Sequence, residues 1–246
     1  GKAKPKLSQA STQELVDYLS HQEGWYRDMA QRLLVEKNDP KSLEVLEKVV
    51  RNEGSEFGKF HALWTLEGLE KKNPSLLLEV LKNESEWLKE TALRQLESFV
   101  LTDPKIQKEV ESILLSQKNQ VSKNYGLQIA LSAYVLPSSS RFEILSSLLD
   151  KFGEEALIRD AVMSSLEKEE FAFLKNLLSN PGWLAENPNR EIFLEMISAA
   201  IVNRAEASEM KELLALIDQP EFGWREIAVL NGFSIQAGNS SDLGIY

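Results

Sequence analysis

The chain has 246 residues, 43% of them hydrophobic, and a formal net charge of −10 at pH 7. This size and apolar content exclude a disordered chain, and the excess of acidic residues disfavours nonspecific binding to nucleic acid or to anionic lipid. The chain has no cysteine, which excludes thiolate catalysis, disulfides, cysteine-ligated zinc, iron–sulfur clusters and covalent c-type haem within it.

The first ten residues are predicted to be a linker or the remnant of a tag. They begin Gly1-Lys2-Ala3-Lys4-Pro5-Lys6, with no initiator methionine and no apolar segment typical of a signal peptide. We therefore expect the chain to be a segment of a longer protein, with residues 238–246 as a tail or the start of a linker to a missing domain. No direct membrane insertion is expected, because no apolar stretch reaches the ~20 residues that a membrane-spanning helix needs.

Helices are predicted throughout residues 11–237, where apolar residues recur at the spacing of one helix face. Two helix starts are predicted from the capping-box spacing of Ser11 with Glu14 and of Ser140 with Glu143. Five further starts are predicted at Asx-Pro pairs, in which the first residue can cap the helix and proline suits its first position. These pairs are Asp39-Pro40, Asn73-Pro74, Asp103-Pro104, Asn180-Pro181 and Asn187-Pro188.

A basic residue near the start of the second helix of each pair defines a repeat. This basic ladder consists of Arg27, Lys59, Lys89, Lys123, Arg159 and Arg225. Three positions later stands a small column, which consists of Ala30, Ala62, Ala92, Gly126, Val162 and Ala228. Because a small residue lets two helices approach closely, the small column predicts a helix–helix contact in each unit. The long gap before Arg225 holds two units, the first of them degenerate around Arg190 to Ile201.

These features predict an all-α fold, a right-handed α-α superhelix of about seven helical hairpins over residues 11–237. The period, the two-helix unit and the basic residue resemble HEAT repeats. Two stretches resemble a narrower group: LSHQEGWYRDMAQRLLVEKND over residues 19–39 and HALWTLEGL over residues 61–69. They are similar to the HEAT segment of large bacterial proteins that join an N-terminal β-propeller, like that of quinone-dependent sugar dehydrogenases, to a solenoid and a C-terminal c-type cytochrome.

In that family the propeller is classed as a membrane-bound dehydrogenase, and the cytochrome carries the haem. The resemblance implies an extracytoplasmic, periplasmic parent protein with a redox function, in which the HEAT segment itself holds no cofactor. It assigns no catalytic, cofactor-binding or metal-binding residue to this chain. The partners it implies are flanking domains of the parent chain or a separate protein.

Two aromatic residues occupy positions that are mostly polar in the other units. Phe60 stands where the other units have an acidic residue or asparagine, and Trp64 stands where most of them have a polar side chain. Because they are four residues apart, the two rings should share one face of a helix. We interpret them as a docking patch for another domain or a partner protein. The alternative is that the curvature of the solenoid buries both rings in the core.

The remaining candidates are interpreted as structural. The basic ladder is expected to bridge to acidic side chains or carbonyls in neighbouring turns, and an anion-binding ladder is the alternative. His61 is expected to be a packed or hydrogen-bonded histidine, with a ligand or interface role as the alternative, and His21 to make a turn or cap contact. An apolar column two positions before the basic ladder is expected in the core. It consists of Trp25, Phe57, Trp87, Val121 and Leu157.

Sequence templates for catalysis are missing, including GxSxG, the phosphate-binding GxxxxGK, GxGxxG after a strand and the DxDxDG calcium loop. The leading hypothesis is a non-catalytic scaffold within a larger redox protein. The alternative is a free-standing HEAT-type module that binds a protein or peptide. An enzyme similar to HEAT-like DNA glycosylases is a third hypothesis, which the net charge of −10 disfavours.

Overall fold

Residues 7–204, 207–218 and 223–241 are described by a computed structural model. Every regular element within these ranges is helical, and none is a strand. The α-helices there are α1 (Thr12–Tyr18), α2 (Gly24–Lys37), α3 (Ser42–Lys48), α4 (Glu56–Gly68), α5 (Pro74–Asn83), α6 (Glu86–Val100), α7 (Pro104–Gln117), α8 (Lys123–Ser132), α9 (Ser138–Phe152), α10 (Ala156–Ser164), α11 (Glu170–Ser179), α12 (Pro188–Arg204), α13 (Ala207–Ile217) and α14 (Trp224–Ser241).

The helices divide into two compact units, Gly1–Leu114 and Leu115–Tyr246. In the first unit α1 packs on α2 and α5 on α6, while α4 packs on both α2 and α6. In the second unit α8 packs on α10, α11 on α12, and α12 on α14. The predicted all-α fold class is therefore confirmed, with helices that pack against their neighbours in each unit as in a HEAT-like α-solenoid. The division into two units was not predicted.

Most of the predicted Asx-Pro starts are confirmed. Pro74, Pro104 and Pro188 are the first residues of α5, α7 and α12, and Pro181 begins a 3₁₀ turn. The Asn73 carboxamide oxygen accepts hydrogen bonds from two backbone N–H groups in the first turn of α5, at 3.1 and 3.3 Å. Pro40 instead lies in a turn, and α3 begins after it at Ser42.

Ser11 caps α1 as predicted, whereas the predicted cap at Ser140 is wrong. The Ser11 hydroxyl accepts from the Glu14 N–H, and the Glu14 carboxylate accepts from the Ser11 N–H at 2.7 Å. Helix α9 begins at Ser138, directly after Pro137. Ser140 lies within the first turn and donates its hydroxyl to the Pro137 carbonyl at 3.1 Å. Proline fixes the extended backbone before the helix, so α9 starts earlier than the Ser140 spacing indicates.

Every residue of the small column is buried. Its alanines and Val162 have no exposed surface. A Cβ added to Gly126 would lie 3.2 Å from side-chain atoms of Leu148 and Phe152.

A second close approach lies outside the small column, at Gly232 in α14. A Cβ added there would lie 2.4 Å from the Glu195 carbonyl oxygen of α12. Larger side chains at these positions would force the helices apart.

The prediction that the apolar column lies in the core is wrong for most of its members. Trp25, Phe57 and Leu157 are 60%, 49% and 68% exposed, and Trp87 is half-buried. Because nine residues make about two and a half helical turns, Trp25 points away from the buried Leu34 in α2. The same spacing to the buried Leu66 turns Phe57 outward in α4. Val121 is buried because it lies in the turn before α8 and not on a helix.

The predicted terminal segments lie largely outside the described residues. This applies to residues 1–6 of the expected linker or tag and to residues 242–246 of the expected tail. Leu7 begins a 3₁₀ turn and is buried. Helix α14 extends to Ser241, so residues 238–241 are helical.

Substitution of Gly232 tests the close approach of α14 and α12. We expect Gly232→Ala to lower the free energy of unfolding by about 1–3 kcal/mol, because overpacking outweighs the better helix propensity of alanine. Urea titration of both chains measures the difference. Gly24→Ala is the matched control, since the nearest atom to its Cβ, a terminal nitrogen of Arg27, lies at 3.4 Å, an ordinary van der Waals distance. Equal or higher stability of Gly232→Ala would contradict the close contact.

Candidate functional site

Phe60 and Trp64 lie on the face of α4 that is turned away from the buried residues. The core face of α4 includes Ala62, Leu66 and His61, while Phe60 and Trp64 are both half-buried. Their ring centroids are 6.2 Å apart with an interplanar angle of 64°. The two residues therefore share a helix face, and their rings are neither fully solvated nor part of the core.

Two further rings extend this pair into what we call the aromatic cluster, defined as Phe57, Phe60, Trp64 and Trp87. The Trp87 ring, at the start of α6, stacks on Phe60 with centroids 4.5 Å apart and planes 12° apart. Phe57 meets Trp87 edge to face at 5.7 Å. Such contacts add to the stabilisation from buried area and hold the rings in fixed orientations. The aromatic cluster is thus a preformed surface that spans α4 and α6.

Charged groups border the aromatic cluster. The Arg27 guanidinium lies 4.3 Å from the Phe57 ring centroid, and the Arg94 guanidinium lies 5.5 Å from that of Trp64. Burial and the nearby Glu86 carboxylate raise the pKa of Glu90, which follows Trp87 by less than one turn. The Trp64 indole N–H is buried and has no hydrogen-bond partner among the described residues. The border of the aromatic cluster therefore carries both positively and negatively charged side chains.

Arg27 of the basic ladder joins three parts of the first unit. Its Nη1 donates to the carbonyl oxygens of His21 and Gln22 at 2.7 and 2.9 Å, in the turn that precedes α2. Its Nε donates to His61 Nε2 at 3.3 Å. Together with the contact to Phe57, these bonds fix the turn, α4 and the edge of the aromatic cluster relative to one another.

Other members of the basic ladder bind carboxylates or carbonyls. Lys59 pairs with Glu84 at 2.6 Å, Lys123 pairs with Glu155 at 2.8 Å, Arg159 donates to the Gly153 carbonyl at 2.7 Å and Arg225 donates to the Leu178 carbonyl at 2.8 Å. Lys89 is half-buried near the start of α6. In the degenerate unit Arg190 donates to the Ala185 carbonyl at 3.2 Å, as Arg27 does in its own turn. These contacts have the geometry of cations that close turns and bridge helices.

His61 is buried in a hydrogen-bonded network. Its Nδ1 lies 2.7 Å from the Gln31 side-chain oxygen, and its Nε2 accepts from Arg27. These partners assign the proton to Nδ1. Burial lowers the pKa of His61 most, the Asp28 carboxylate raises it and Arg27 lowers it. His21 accepts the Glu23 N–H at 3.1 Å and packs against Tyr26, so it makes a turn contact.

Comparison with known proteins found no relative of this chain. The chain matches no protein-family model, no curated protein and no solved structure. Among the described residues no group of three or more histidine, aspartate or glutamate side chains could hold a metal ion. Within the same ranges, none of the helices combines the length and the apolar character needed to cross a bilayer.

The sequence did not indicate four participants in the site. Phe57 and Trp87 were expected in the core, and Glu90 and Arg94 were not singled out. Their spacing in the sequence could have grouped three of them. Trp87, Glu90 and Arg94 follow one another at intervals of three and four residues and so share a face of α6. The contact of that face with Phe60 and Trp64 depends on how α4 and α6 pack, which the sequence does not give.

The lowered pKa of His61 predicts a pH dependence of stability. The unfolded chain binds a proton near the ordinary pKa of about 6.5, whereas the folded chain binds it only at lower pH. The contribution of neutral His61 is thus complete above about pH 6.5 and is lost as the pH falls below it. Relative to His61→Gln, the free energy of unfolding of the unchanged chain should fall between about pH 7.5 and pH 5.5 in urea titrations. Parallel pH profiles would contradict this.

Replacement of Arg27 tests its role in the network. Arg27→Lys removes the planar fork that binds two carbonyls and His61 together, so we expect a loss of about 1–3 kcal/mol in the free energy of unfolding. Arg32→Lys is the matched control, because Arg32 is 69% exposed and pairs with Glu36 in the same helix. That change should cost less than about 0.5 kcal/mol. Similar losses in the two variants, measured by chemical denaturation, would contradict the assignment.

Proposed function

We propose that this chain is a non-catalytic docking scaffold and that the aromatic cluster is its docking surface. The observation that carries the proposal is the stack of Phe60 on Trp87, with Trp64 beside it, on the face of α4 opposite its core. Rings held in place before binding lose little conformational freedom on binding, and tryptophan and arginine are enriched among the residues that dominate binding energy. The Arg94 guanidinium supplies the polar part of such a contact.

The proposed partner is a flanking domain of a larger redox protein. Support comes from the resemblance of residues 19–39 and 61–69 to the HEAT segment of proteins with a propeller and a c-type cytochrome. In this proposal the solenoid holds those modules at a fixed separation, outside the cytoplasm, and carries no cofactor itself. A separate protein that binds the same surface is the second possibility, and the two differ in which chain supplies the contact.

Site-specific photocrosslinking in the complete encoded protein tests this function. A benzophenone amino acid at position 64 replaces one aromatic side chain with another, and the same group at Leu101, which is 61% exposed at the end of α6, is the control. We expect position 64 to cross-link to a flanking domain, or to one defined partner, and position 101 not to do so. Cross-links confined to residues 1–246, or identical products from both positions, would contradict the proposed docking surface.

Removal of the Trp64 ring gives an independent measure of its contribution to docking. If Trp64 is a central contact, Trp64→Ala should weaken docking by at least about 2 kcal/mol, roughly thirtyfold in affinity. The effect can be measured by adding the separately expressed flanking domain to this chain in a calorimeter. Leu101→Ala should leave the affinity unchanged. An unchanged affinity of the Trp64 variant would show that docking occurs elsewhere.

A further inference from the structure

A polar groove of about 800 Å³ lies in the second unit, against α9. Its walls are the turn after α7, the exposed side of α9 and the C-terminal half of α11. The uncharged polar side chains that line it include Asn119, Ser139, Ser146, Ser147, Asn176 and Asn180. Its size is that of a ligand site, and no part of the proposed docking function uses it.

The charged side chains of the groove have hydrogen-bonded partners and balance in number. Lys118 pairs with Glu143, Lys151 Nζ donates to the carbonyl oxygens of Asn119 and Val121 at 3.3 and 2.7 Å, and Asp150 accepts from Arg190 at 3.1 Å. Two lysines and two carboxylates line the groove, so the lining has no net charge that would select a charged ligand. The groove therefore favours a ligand whose contacting atoms carry no net charge.

Several uncharged polar side chains of the groove have hydrogen-bonding atoms that are not used within the described part of the chain. Ser146 is only 7% exposed, and its hydroxyl has no hydrogen-bond partner in the described part of the chain. Asn119 Oδ1 accepts from Ser147 at 3.0 Å, and Asn180 Oδ1 accepts from the Gly182 N–H at 2.9 Å, so both carboxamides keep their N–H donors for another partner. A buried hydroxyl without a partner destabilises the free chain, and a ligand that supplies one removes that cost.

The residue types of the groove restrict the class of ligand. Its lining has no aromatic ring on which a sugar or a nucleobase could stack, and its apolar side chains are limited to Pro181. An amphipathic helix would need several apolar anchor pockets. Main-chain amides of an extended peptide meet the remaining requirements, because each offers one donor and one acceptor without charge. We infer that this groove binds an extended peptide segment through its main chain.

The spacing of the helices sets the length of the bound segment. Neighbouring packed helices lie about 8–10 Å apart, so the two steps from α7 to α11 span about 16–20 Å. An extended chain rises about 3.3 Å per residue, which gives about five or six residues. Small, uncharged side chains such as those of glycine, alanine and serine suit a wall that has no apolar pockets and no net charge.

Titration of the whole isotope-labelled chain with a capped peptide tests this inference. The probe is acetyl-Gly-Ser-Gly-Ser-Gly-Ser-amide, and the expected result is a set of NMR shift changes concentrated at Asn119, Ser146, Ser147 and Asn176. An analogue in which one central amide is replaced by an ester lacks one N–H donor and should bind about two- to tenfold more weakly. Equal affinity of the ester analogue would overturn main-chain recognition.

Variants separate binding from folding. Ser146→Ala removes an unpartnered buried hydroxyl, so its stability should equal or exceed that of the unchanged chain while peptide affinity falls about two- to tenfold. Asn176→Ala should also weaken binding. Ser164→Ala is the matched control, because that hydroxyl is exposed and bonded to the Ala161 carbonyl of its own helix at 2.8 Å. Unchanged affinity of both groove variants would overturn the assignment.

Other ligands are outcomes of the same titration. Maltotriose and inorganic phosphate are added separately under identical conditions. Shift changes at the groove with either of these, and none with the peptide, would overturn the peptide assignment, as would peptide shifts scattered over both units. Trp64→Ala should leave peptide binding unchanged, so failure of the docking proposal and failure of this inference can be told apart.

Discussion

The burial of one small residue on the second helix of each repeating pair is the constraint on which the rest of the structure depends. On α4 this residue is Ala62, which has no exposed surface, and the other buried residues of that helix lie around it. Once that side of α4 is committed to the core, helical geometry places Phe57, Phe60 and Trp64 on the opposite side. The aromatic surface is therefore a consequence of how the core packs.

Arg27 connects this packing to the surface through the shape of its side chain. A guanidinium binds acceptors along its edges and contacts rings with its faces, so one residue can hold a turn, a histidine and an aromatic ring at once. Lys59 occupies the equivalent position in the next unit and makes a single ion pair with Glu84. The two residues align in sequence as basic, but an ammonium group has neither the planar edges nor the face of a guanidinium. Arg27 and Lys59 therefore hold equivalent positions in the repeat but make different contacts.

Helix class, pairing and most helix starts could be predicted because they depend on local chemistry: Asn73 before Pro74, Ser11 before Glu14, and a small or β-branched residue at each position of the buried small column. The prediction at Ser140 was wrong because Pro137 provides a stronger local signal for the start of α9. Exposure of Trp25 could have been predicted from helical angle, but its apolar character was given more weight. The stack of Trp87 on Phe60 could not have been predicted, because it depends on how α4 packs on α6. The polar groove is harder still to predict, since Asn119, in the turn after α7, and Asn176, in α11, are distant in sequence.

The carbonyl partners of the arginines also bear on the order in which the chain can assemble. Arg27 and Arg159 reach carbonyls only six residues earlier, so each can close its own turn as soon as that segment is formed. Arg225 reaches Leu178, 47 residues earlier, which requires α11, α12 and the turns between them to be in place. Loop closure over that distance costs more entropy than closure of a single turn. The contact that attaches α14 is therefore nonlocal, and in a chain made from its N-terminus it must await the synthesis of α14.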